Sequence, residues 1–333
     1  MASTDIHLKN QVFDLVFHPK HNTLYTALLT GEIKAFNYTL GEPDEITYEK
    51  AFSVRPTRKS CRSLALDFEG DLLYSVGKEK ALNVIDTVTG QVVSTVAEAH
   101  EAPINRVSYL LPSCLVTGDD DGVVKLWDPR IKPTGPTAQK SFTHHWDVIT
   151  DFLYFDDKKH LLTTSSDATL SVIDIRTSKA VPLSVSESQD DELLSCVSIK
   201  NGAKVLTGSS MGILSVWDKT KGYRDCVDRI PGHPDSIETI VPLSEDIVAT
   251  GSSDGMIRIV SILPTKFMGV IAHHEDYPIE RLALSRDSTI LGSASHDEVC
   301  KLTDIRDIFD ESDDEDEEEG EGESGSEEDA TES

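Results

Sequence analysis

The sequence predicts an all-β fold, a seven-bladed β-propeller followed by a disordered acidic C-terminal tail. One pattern occurs seven times, each copy alternates apolar and polar residues as half-buried strands do, and turn residues recur at matching positions. Four copies end at Asp128, Asp174, Asp218 and Ser261, and these ends are 46, 44 and 43 residues apart. Such a period is typical of the four-stranded blades of a propeller.

Three further copies bring the number of blades to seven. They end at Asn37, Asp86 and Asp304, and the first interval is 49 residues because the segment GEPDEITYEK is inserted there. Each copy consists of alternating runs separated by turns, which is the pattern of antiparallel strands. In the third copy these runs are 107–111, 114–117 and 123–127.

The turns and end marks of the copies identify the type of blade. Asp121-Gly122 and Asp254-Gly255 are hairpin signals, because the central residues of such turns adopt positive φ, which glycine does without a steric penalty. G-H and W-D pairs at matching places in the repeat are the marks of WD40 blades.

The two ends of the repeat region are predicted to close the ring together. The last copy supplies only three strands, while Thr4, Ile6 and Leu8 alternate with polar residues ahead of the first copy. We therefore expect residues 1–306 to form one propeller, with the N-terminal strand as the outer strand of blade seven. This closure removes two open sheet edges, which would otherwise favour aggregation.

The acidic charge is concentrated after the propeller. The formal net charge is −28, but sixteen acidic residues and no basic ones lie in residues 307–333, so residues 1–306 carry −12. The tail has too few apolar groups to offset the entropy of ordering and is predicted to be disordered. Ser312, Ser324 and Ser326 are each followed by an acid three residues later and resemble casein kinase II sites; phosphorylation would tune binding to basic partners.

Composition and motifs argue against several classes of protein. A negative field repels nucleic-acid backbones, so RNA contact is expected to be indirect. The five cysteines form no C-x-x-C pair, and no apolar run is long enough to cross a membrane. Nucleophile-elbow, phosphate-loop, zinc-protease and EF-hand patterns are absent. The sequence therefore predicts no catalytic residues, no metal and no cofactor, in a monomeric propeller that binds proteins.

Histidines before the first strand of several blades are predicted to be structural. These are His100, His145, His233 and His273. In WD repeats, a histidine here forms a buried hydrogen-bond chain with a strand hydroxyl, a turn acid and a tryptophan, because buried polar groups need partners. In the third copy, the predicted network is His100, Thr117, Asp121 and Trp127. The other copies are incomplete: Asp167, Asp254 and Asp297 keep the turn acid, whereas Met211 replaces it in the fifth.

Two groups of basic residues are candidate partner-binding sites. Arg55, Arg58, Lys59 and Arg62 are concentrated in the loop before the second blade, and together with Lys50 they form the one dense basic cluster of the sequence. This cluster is either a solvated loop or a binding site for an anion or an acidic partner. In the second case, the acidic tail of the protein could itself mask the site. The second group, Arg130 and Arg176, comes from the segments WDPR and IDIR, and TDIR at 303–306 is a third copy.

The WDPR segment resembles the W-D-x-R motif of substrate receptors for cullin-4 ubiquitin ligases, in which such arginines contact the ligase adaptor. Only WDPR is a complete match, since IDIR and TDIR lack the tryptophan. A cullin-4 adaptor is therefore an alternative partner for this protein.

Longer segments carry a more specific resemblance. KSCRSLALDFEGDLLYSVGKEKALNVID, AHEAPINRVSYLLPSCLVTGDDDGVVKLWDPR and VATGSSDGMIRIVSILPTKFMGVIAHHEDYPIERLALS, with the opening VFDLVFHPKHNTLYTALLTGEIKAFNY, are similar to the WD repeat-containing protein 55 family. The resemblance spans residues 6–306. It implies a nucleolar scaffold of rRNA processing and large-subunit maturation, without catalytic residues to carry over.

Three functional hypotheses follow. The first is a scaffold of the nucleus and nucleolus, with the cytoplasm left open, whose partners are basic pre-ribosomal assembly factors or ribosomal proteins. The second is a cullin-4 substrate receptor, and histone or chromatin binding is a related alternative that an acidic tail also permits. The third is a propeller hydrolase with a metal in its channel, which would need unpaired inward acids at corresponding positions of several blades.

Overall fold

The computed structural model describes residues 2–41, 45–131 and 138–308. In these residues, twenty-eight β-strands form seven four-stranded antiparallel sheets, which are the blades of a propeller. The seven-bladed all-β fold predicted from the repeat is therefore confirmed. Within the described parts of the chain, no helix has the length and apolar character needed to span a lipid bilayer.

Blades 1 to 3 are built from consecutive strands, with the first strand of each blade next to the first strand of its neighbour. Their strands are β2 (Val12–Phe17), β3 (Thr23–Leu28), β4 (Ile33–Leu40) and β5 (Ile46–Val54); β6 (Cys61–Leu66), β7 (Leu72–Gly77), β8 (Leu82–Asp86) and β9 (Gln91–Val96); and β10 (Ile104–Leu111), β11 (Cys114–Asp119), β12 (Val124–Trp127) and β13 (Lys140–Phe142).

Blades 4 to 6 repeat this order. Their strands are β14 (Ile149–Phe155), β15 (His160–Ser165), β16 (Leu170–Asp174) and β17 (Ser184–Val185); β18 (Leu193–Ile199), β19 (Lys204–Ser209), β20 (Ile213–Asp218) and β21 (Asp228–Pro231); and β22 (Ile237–Pro242), β23 (Ile247–Ser252), β24 (Met256–Ser261) and β25 (Lys266–His273).

Blade 7 joins the N-terminal strand to the last strands of the repeat. Its strands are β26 (Ile279–Leu284), β27 (Ile290–Ser295), β28 (Val299–Asp304) and, outermost, β1 (Ser3–His7). Strand β1 pairs antiparallel with β28, from Ser3 opposite Thr303 to His7 opposite Val299. The side chains of Ile6 and Leu8 are buried in the core that blades 1 and 7 share, so closure also buries apolar surface.

The core lies between adjacent blades and depends on close approach of their backbones. Gly118, near the end of β11, is a clear example, because a Cβ atom there would lie 2.5 Å from the side chain of Ile149 in the next blade. Beyond β28, the described chain continues to Ile308, whose side chain belongs with Ile305 to the core between blades 6 and 7. The predicted tail otherwise lies outside the described residues.

A β-bulge in the first strand of every blade positions side chains for the central channel. In all seven sheets the register between the first and second strands shifts by one residue directly after the first pair. The extra residue lies on the inner side, where it lines one cavity of about 380 Å³. The bulge residues are Phe13, Arg62, Asn105, Thr150, Leu194, Glu238 and Glu280.

The antiparallel order gives the propeller two faces with different loops. The connections between blades and the turns between second and third strands lie on one face, which we call the histidine face because His100, His145, His233 and His274 lie there. The opposite face, called the arginine face, carries the segments after the third strands, with Arg130, Arg176 and Arg306.

Candidate functional site

A buried hydrogen-bond chain fixes the histidine face of blade 3. His100 Nε2 lies 2.6 Å from Thr117 Oγ1, which accepts a hydrogen bond of 2.8 Å from Trp127 Nε1. His100 Nδ1 lies 2.7 Å from Asp119 Oδ2. Burial is the main cause that lowers the pKa of His100, which favours the neutral ring, and a neutral ring with its proton on Nδ1 donates to the carboxylate. The polar groups of these side chains are hydrogen-bonded to one another within the blade, so their role is structural.

The acid in this network differs from the prediction. Asp121 was expected to accept from His100, but the partner is Asp119, whose residue is 1% exposed, whereas Asp121 is exposed in the turn. Asp119 Oδ1 also accepts the backbone N–H groups of Asp121 and Val123 at 3.1 and 2.8 Å. The buried carboxylate at the end of β11 therefore contacts the histidine and also accepts hydrogen bonds from the backbone of the turn, which are the two roles expected of the turn acid. The run Asp119-Asp120-Asp121 gives no sequence signal for which of the three does so.

In blades 4 and 7 the turn acid contacts the histidine as predicted, with one correction to the histidine and without a tryptophan in the network. His145 Nδ1 lies 2.9 Å from Asp167 Oδ2. In blade 7 the network histidine is His274, whose Nδ1 lies 2.7 Å from Asp297 Oδ2. The prediction of His273 was wrong, because that residue is exposed at the end of β25. His274 lies five residues before β26, whereas His100 and His145 lie four residues before the first strands of their blades.

Blade 6 keeps only half of the network. His233 Nε2 lies 2.8 Å from Thr250 Oγ1. The turn acid Asp254 instead accepts two hydrogen bonds from Arg258, at 3.1 and 2.6 Å. Burial, with Arg258 as a smaller cause, lowers the pKa of His233 to about 4, so this histidine is neutral at physiological pH.

The channel contains charged side chains, and they are paired. One residue beyond the bulges, Arg106 Nε donates to Asp151 Oδ1 at 2.9 Å, and Arg281 lies 3.5 Å from Asp14. The bulge residue Glu280 lies 2.7 Å from Nε2 of His296, and its carboxylate raises the pKa of that histidine.

The second bulge glutamate of the channel is Glu238. Its Oε1 accepts from the hydroxyls of Ser236 and Ser253 at 2.6 and 3.0 Å, and burial raises its pKa. Inward acids thus occur at corresponding positions of blades 6 and 7, but each has partners. The described ranges contain no group of three or more His, Cys, Asp or Glu side chains that could hold a metal ion.

The structure divides the predicted basic cluster. Arg62 is a bulge residue on the channel rim, where its guanidinium lies 2.6 Å from Asp120. Arg55 Nε donates to the Thr30 carbonyl at 2.9 Å, which fastens the loop to blade 1. The side chains of Arg58 and Lys59 are exposed on the histidine face between blades 1 and 2. This exposed pair is the part of the cluster that could meet an acidic ligand.

The two predicted arginines of the arginine face share one geometry. Arg130 Nε and Nη2 donate to Asp128 at 2.9 and 2.6 Å, and Arg176 makes the same pair of hydrogen bonds with Asp174 at 2.9 and 2.7 Å. The arginine side chains remain 66% and 62% exposed. Hydrogen bonds from Arg176 lower the pKa of Asp174 to about 2. Bidentate pairing holds both guanidiniums in fixed directions on adjacent blades.

Sequence reasoning missed the most exposed aromatic residue of the histidine face. Trp146 follows the buried His145 and is 90% exposed, while its backbone N–H donates to Asp167 at 3.0 Å. Large exposed aromatic residues on a rigid backbone are typical anchors in protein interfaces. A signal was present, because the histidine of this connection was predicted to be buried and Trp146 is the residue directly after it. Ser312, Ser324 and Ser326 lie outside the described residues.

Comparison with known proteins places this chain among close relatives. The model of the WDR55 family matches residues 3–308. "WD repeat-containing protein JIP5" of Cryptococcus neoformans is 49% identical over 90% of this chain and 81% of its own length. "WD repeat-containing protein 55" of Arabidopsis thaliana is 34% identical over 92% of this chain and 84% of its length, and that of Mus musculus is 36% identical over 90% and 75%.

Proposed function

Since the chain belongs to the WDR55 family, a family of WD-repeat scaffold proteins, we propose that it is a non-catalytic scaffold of ribosome biogenesis. Its place is the nucleolus, where it takes part in rRNA processing and large-subunit maturation. The partners are basic assembly factors or ribosomal proteins, and contact with RNA runs through them. The similarity to the WD repeat-containing protein 55 family supports the role in ribosome biogenesis. The negative charge of the propeller supports basic proteins as partners.

One observation carries the choice of a binding function: Trp146 stands 90% exposed on the histidine face. The residue beside it, His145, is fixed by Asp167 and Thr163, so the tryptophan projects from an ordered backbone. Burying such a side chain in a partner contributes on the order of 2–4 kcal/mol to binding. The net charge of −12 on residues 1–306 adds attraction for a basic partner.

Depletion and rescue in cells test this function. Loss of the protein should cause precursors of large-subunit rRNA to accumulate, and wild-type protein should restore processing. Trp146→Ala should restore it poorly at equal protein level, whereas Val88→Ala, an 85% exposed side chain on blade 2, should restore it fully. Normal precursor ratios after depletion would exclude the proposed process. Equal rescue by both variants would exclude Trp146 as the contact.

A second candidate function rests on the arginine face. Arg130 and Arg176 project from adjacent blades in matching bidentate pairs, which suits an acidic surface of a cullin-4 adaptor. Replacing both with alanine should abolish co-purification of the adaptor. Arg306→Ala removes the third pair of this type, on blade 7, and is the matched control. Absence of adaptor from wild-type purifications would remove this candidate.

A further inference from the structure

In blade 4, one histidine ring fills the space under the connection that enters the blade. His145 Nδ1 lies 2.9 Å from Asp167 and 3.1 Å from Thr169. Its Nε2 lies 2.9 Å from Thr163 and 3.0 Å from Ser171. Four side chains from the second strand, the turn and the third strand thus surround the ring.

Blade 5 has the same pairing of its second and third strands but no histidine at this place. Gln189 lies four residues before the first strand, as His145 does before Ile149. Its side chain turns outward, where Nε2 donates to Asp225 at 3.1 Å and Oε1 accepts from Arg229 at 3.0 Å. The counterparts of the residues around the blade 4 ring are Thr207, Met211, Ile213 and Ser215.

Three of these counterparts, Met211, Ile213 and Ser215, line a cavity of about 390 Å³, which is in the size range of small-ligand pockets. Met211, Ile213 and Leu193 form its apolar wall, and Ser215 and Arg229 contribute polar atoms. Met211 replaces the turn acid and is 71% exposed, so the cavity is open to solvent at the histidine face. Apolar atoms facing water here favour an apolar occupant.

The rim of this cavity is acidic. The connection between blades 4 and 5 carries four acids within six residues, 187–192, and two of them, Asp190 and Asp191, line the cavity. Arg224 pairs with Glu187 at 3.0 Å, and Arg229 pairs with Asp190 at 2.7 Å. Two arginines against four carboxylates leave the rim with a net negative charge. An occupant with cationic residues on either side of its apolar group therefore matches the rim as well as the wall.

We propose that the blade 5 cavity binds a single apolar side chain of a partner protein, in a segment where lysine or arginine residues flank a leucine, methionine or phenylalanine. This proposal rests on the proposed function only in taking the partner to be a basic protein. The cavity supplies the apolar anchor point, and the acidic rim selects the flanking residues.

The test is binding of labelled peptides to the full chain, measured by fluorescence anisotropy. The first peptide has a central leucine between two lysine pairs; in the second, serine replaces leucine, and in the third, glutamates replace the lysines. The leucine peptide should bind at least about tenfold more tightly than either of the others, because each lacks one matching feature. Equal affinity of the leucine and serine peptides would overturn the proposal.

The most informative variant rebuilds the missing network. Gln189→His combined with Met211→Asp places a ring and an acid beside Thr207, which already accepts from Trp217 Nε1 at 2.9 Å. This variant should lose at least about tenfold in affinity for the leucine peptide while its melting temperature stays equal or rises. Unchanged binding by the folded double variant would contradict the proposal.

Met211→Lys is the second variant, because it changes an exposed side chain and does not depend on rebuilding a network. It places a cation in the apolar wall and should lower the affinity for the leucine peptide by a similar factor. Met268→Ala, on the outer strand of blade 6 and 42% exposed, is the control and should bind as wild type does. If light scattering shows a dimer of the wild type that Met211→Lys dissociates, the occupant is a second copy and the proposal is wrong.

The proposed function and this proposal can fail separately. Peptide binding that depends on the cavity, without any effect of depletion on rRNA precursors, leaves the cavity site standing and removes the ribosomal role. A processing defect on depletion, together with equal binding of the three peptides, leaves the ribosomal role standing and removes the cavity site.

Discussion

Asp119 Oδ2 lies 2.7 Å from His100 Nδ1, so the acid of the blade 3 network comes from the end of the second strand and not from the hairpin turn. The same carboxylate accepts two backbone N–H groups of the turn. One buried side chain therefore links the connection between blades to the hairpin below it. This arrangement gives the histidine face of blade 3 a rigid base.

Asp119→Ala should destabilise the protein by about 1–3 kcal/mol, because it leaves the His100 ring and the turn N–H groups without an acceptor. Asp121→Ala should change the free energy of unfolding by less than about 0.5 kcal/mol, since that side chain is exposed. Chemical denaturation of both variants checks this. Equal losses would mean that the two acids share the network.

Ring closure through β1 should dominate the stability of the propeller. Ile6→Ala removes a side chain that is buried between blades 1 and 7 and should cost about 2–5 kcal/mol. His7→Ala, on the exposed side of the same strand, should have little effect. Deletion of residues 1–9 should lower the melting temperature strongly, and an unchanged melting temperature would contradict closure by this strand.

Stability should fall as the pH drops below neutrality, in part because of His233. Burial, more than the nearby Arg258, lowers its folded-state pKa to about 4, while Asp254 opposes the shift. The unfolded chain therefore takes up a proton near pH 6.5, and the folded protein does so only near pH 4. The contribution of neutral His233 to the free energy of unfolding is fully present above about pH 6.5. It is lost as the pH falls from there towards 4.

The variant His233→Gln isolates this contribution. Its melting temperature should depend less on pH than that of the wild type between pH 6.5 and 4, because one buried neutral histidine is removed. His144, whose pKa is also lowered to about 4 by burial, remains in the variant and keeps part of the slope. Identical slopes for the two proteins would show that folding does not lower the pKa of His233.

The exposed pair Arg58 and Lys59 should bind an acidic probe such as a polyglutamate peptide. Reversing both charges to glutamate should remove this binding and its dependence on salt. Lys179→Glu, an exposed residue on the arginine face, is the matched control. Deletion of residues 307–333 should raise the affinity for the probe if the tail masks the pair. Full affinity after the double reversal would refute the site.

The number of blades could be predicted from the sequence because local signals carry it. Turns such as Asp121-Gly122 and alternating strands recur with each blade, and the short strand before Val12 has a clear partner at β28. The choice between Asp119 and Asp121, or between His273 and His274, depends on which side chain points inward. For the histidines, a one-residue change in the connection alters that direction, and for the aspartates, three consecutive acids at 119–121 give no residue type to distinguish them.

The features that serve binding were harder to predict, because they arise from departures from the repeat. The channel residues, among them Glu238 and Glu280, sit at bulges that interrupt the alternation of each first strand. The blade 5 cavity appears only when Gln189 is aligned with a histidine of another blade and its side chain is found to turn outward. The exposure of Trp146 depends on the fixed position of its neighbour.

Purification of the tagged full chain and of its Trp146→Ala variant from cells, with quantitative mass spectrometry and sequencing of co-purified RNA, tests the scaffold function most directly. We expect large-subunit precursors and basic assembly factors with the wild type, and a severalfold loss of both with the variant. Purified wild-type protein that carries a cullin-4 adaptor or histones but no pre-ribosomal particles would contradict the proposed function.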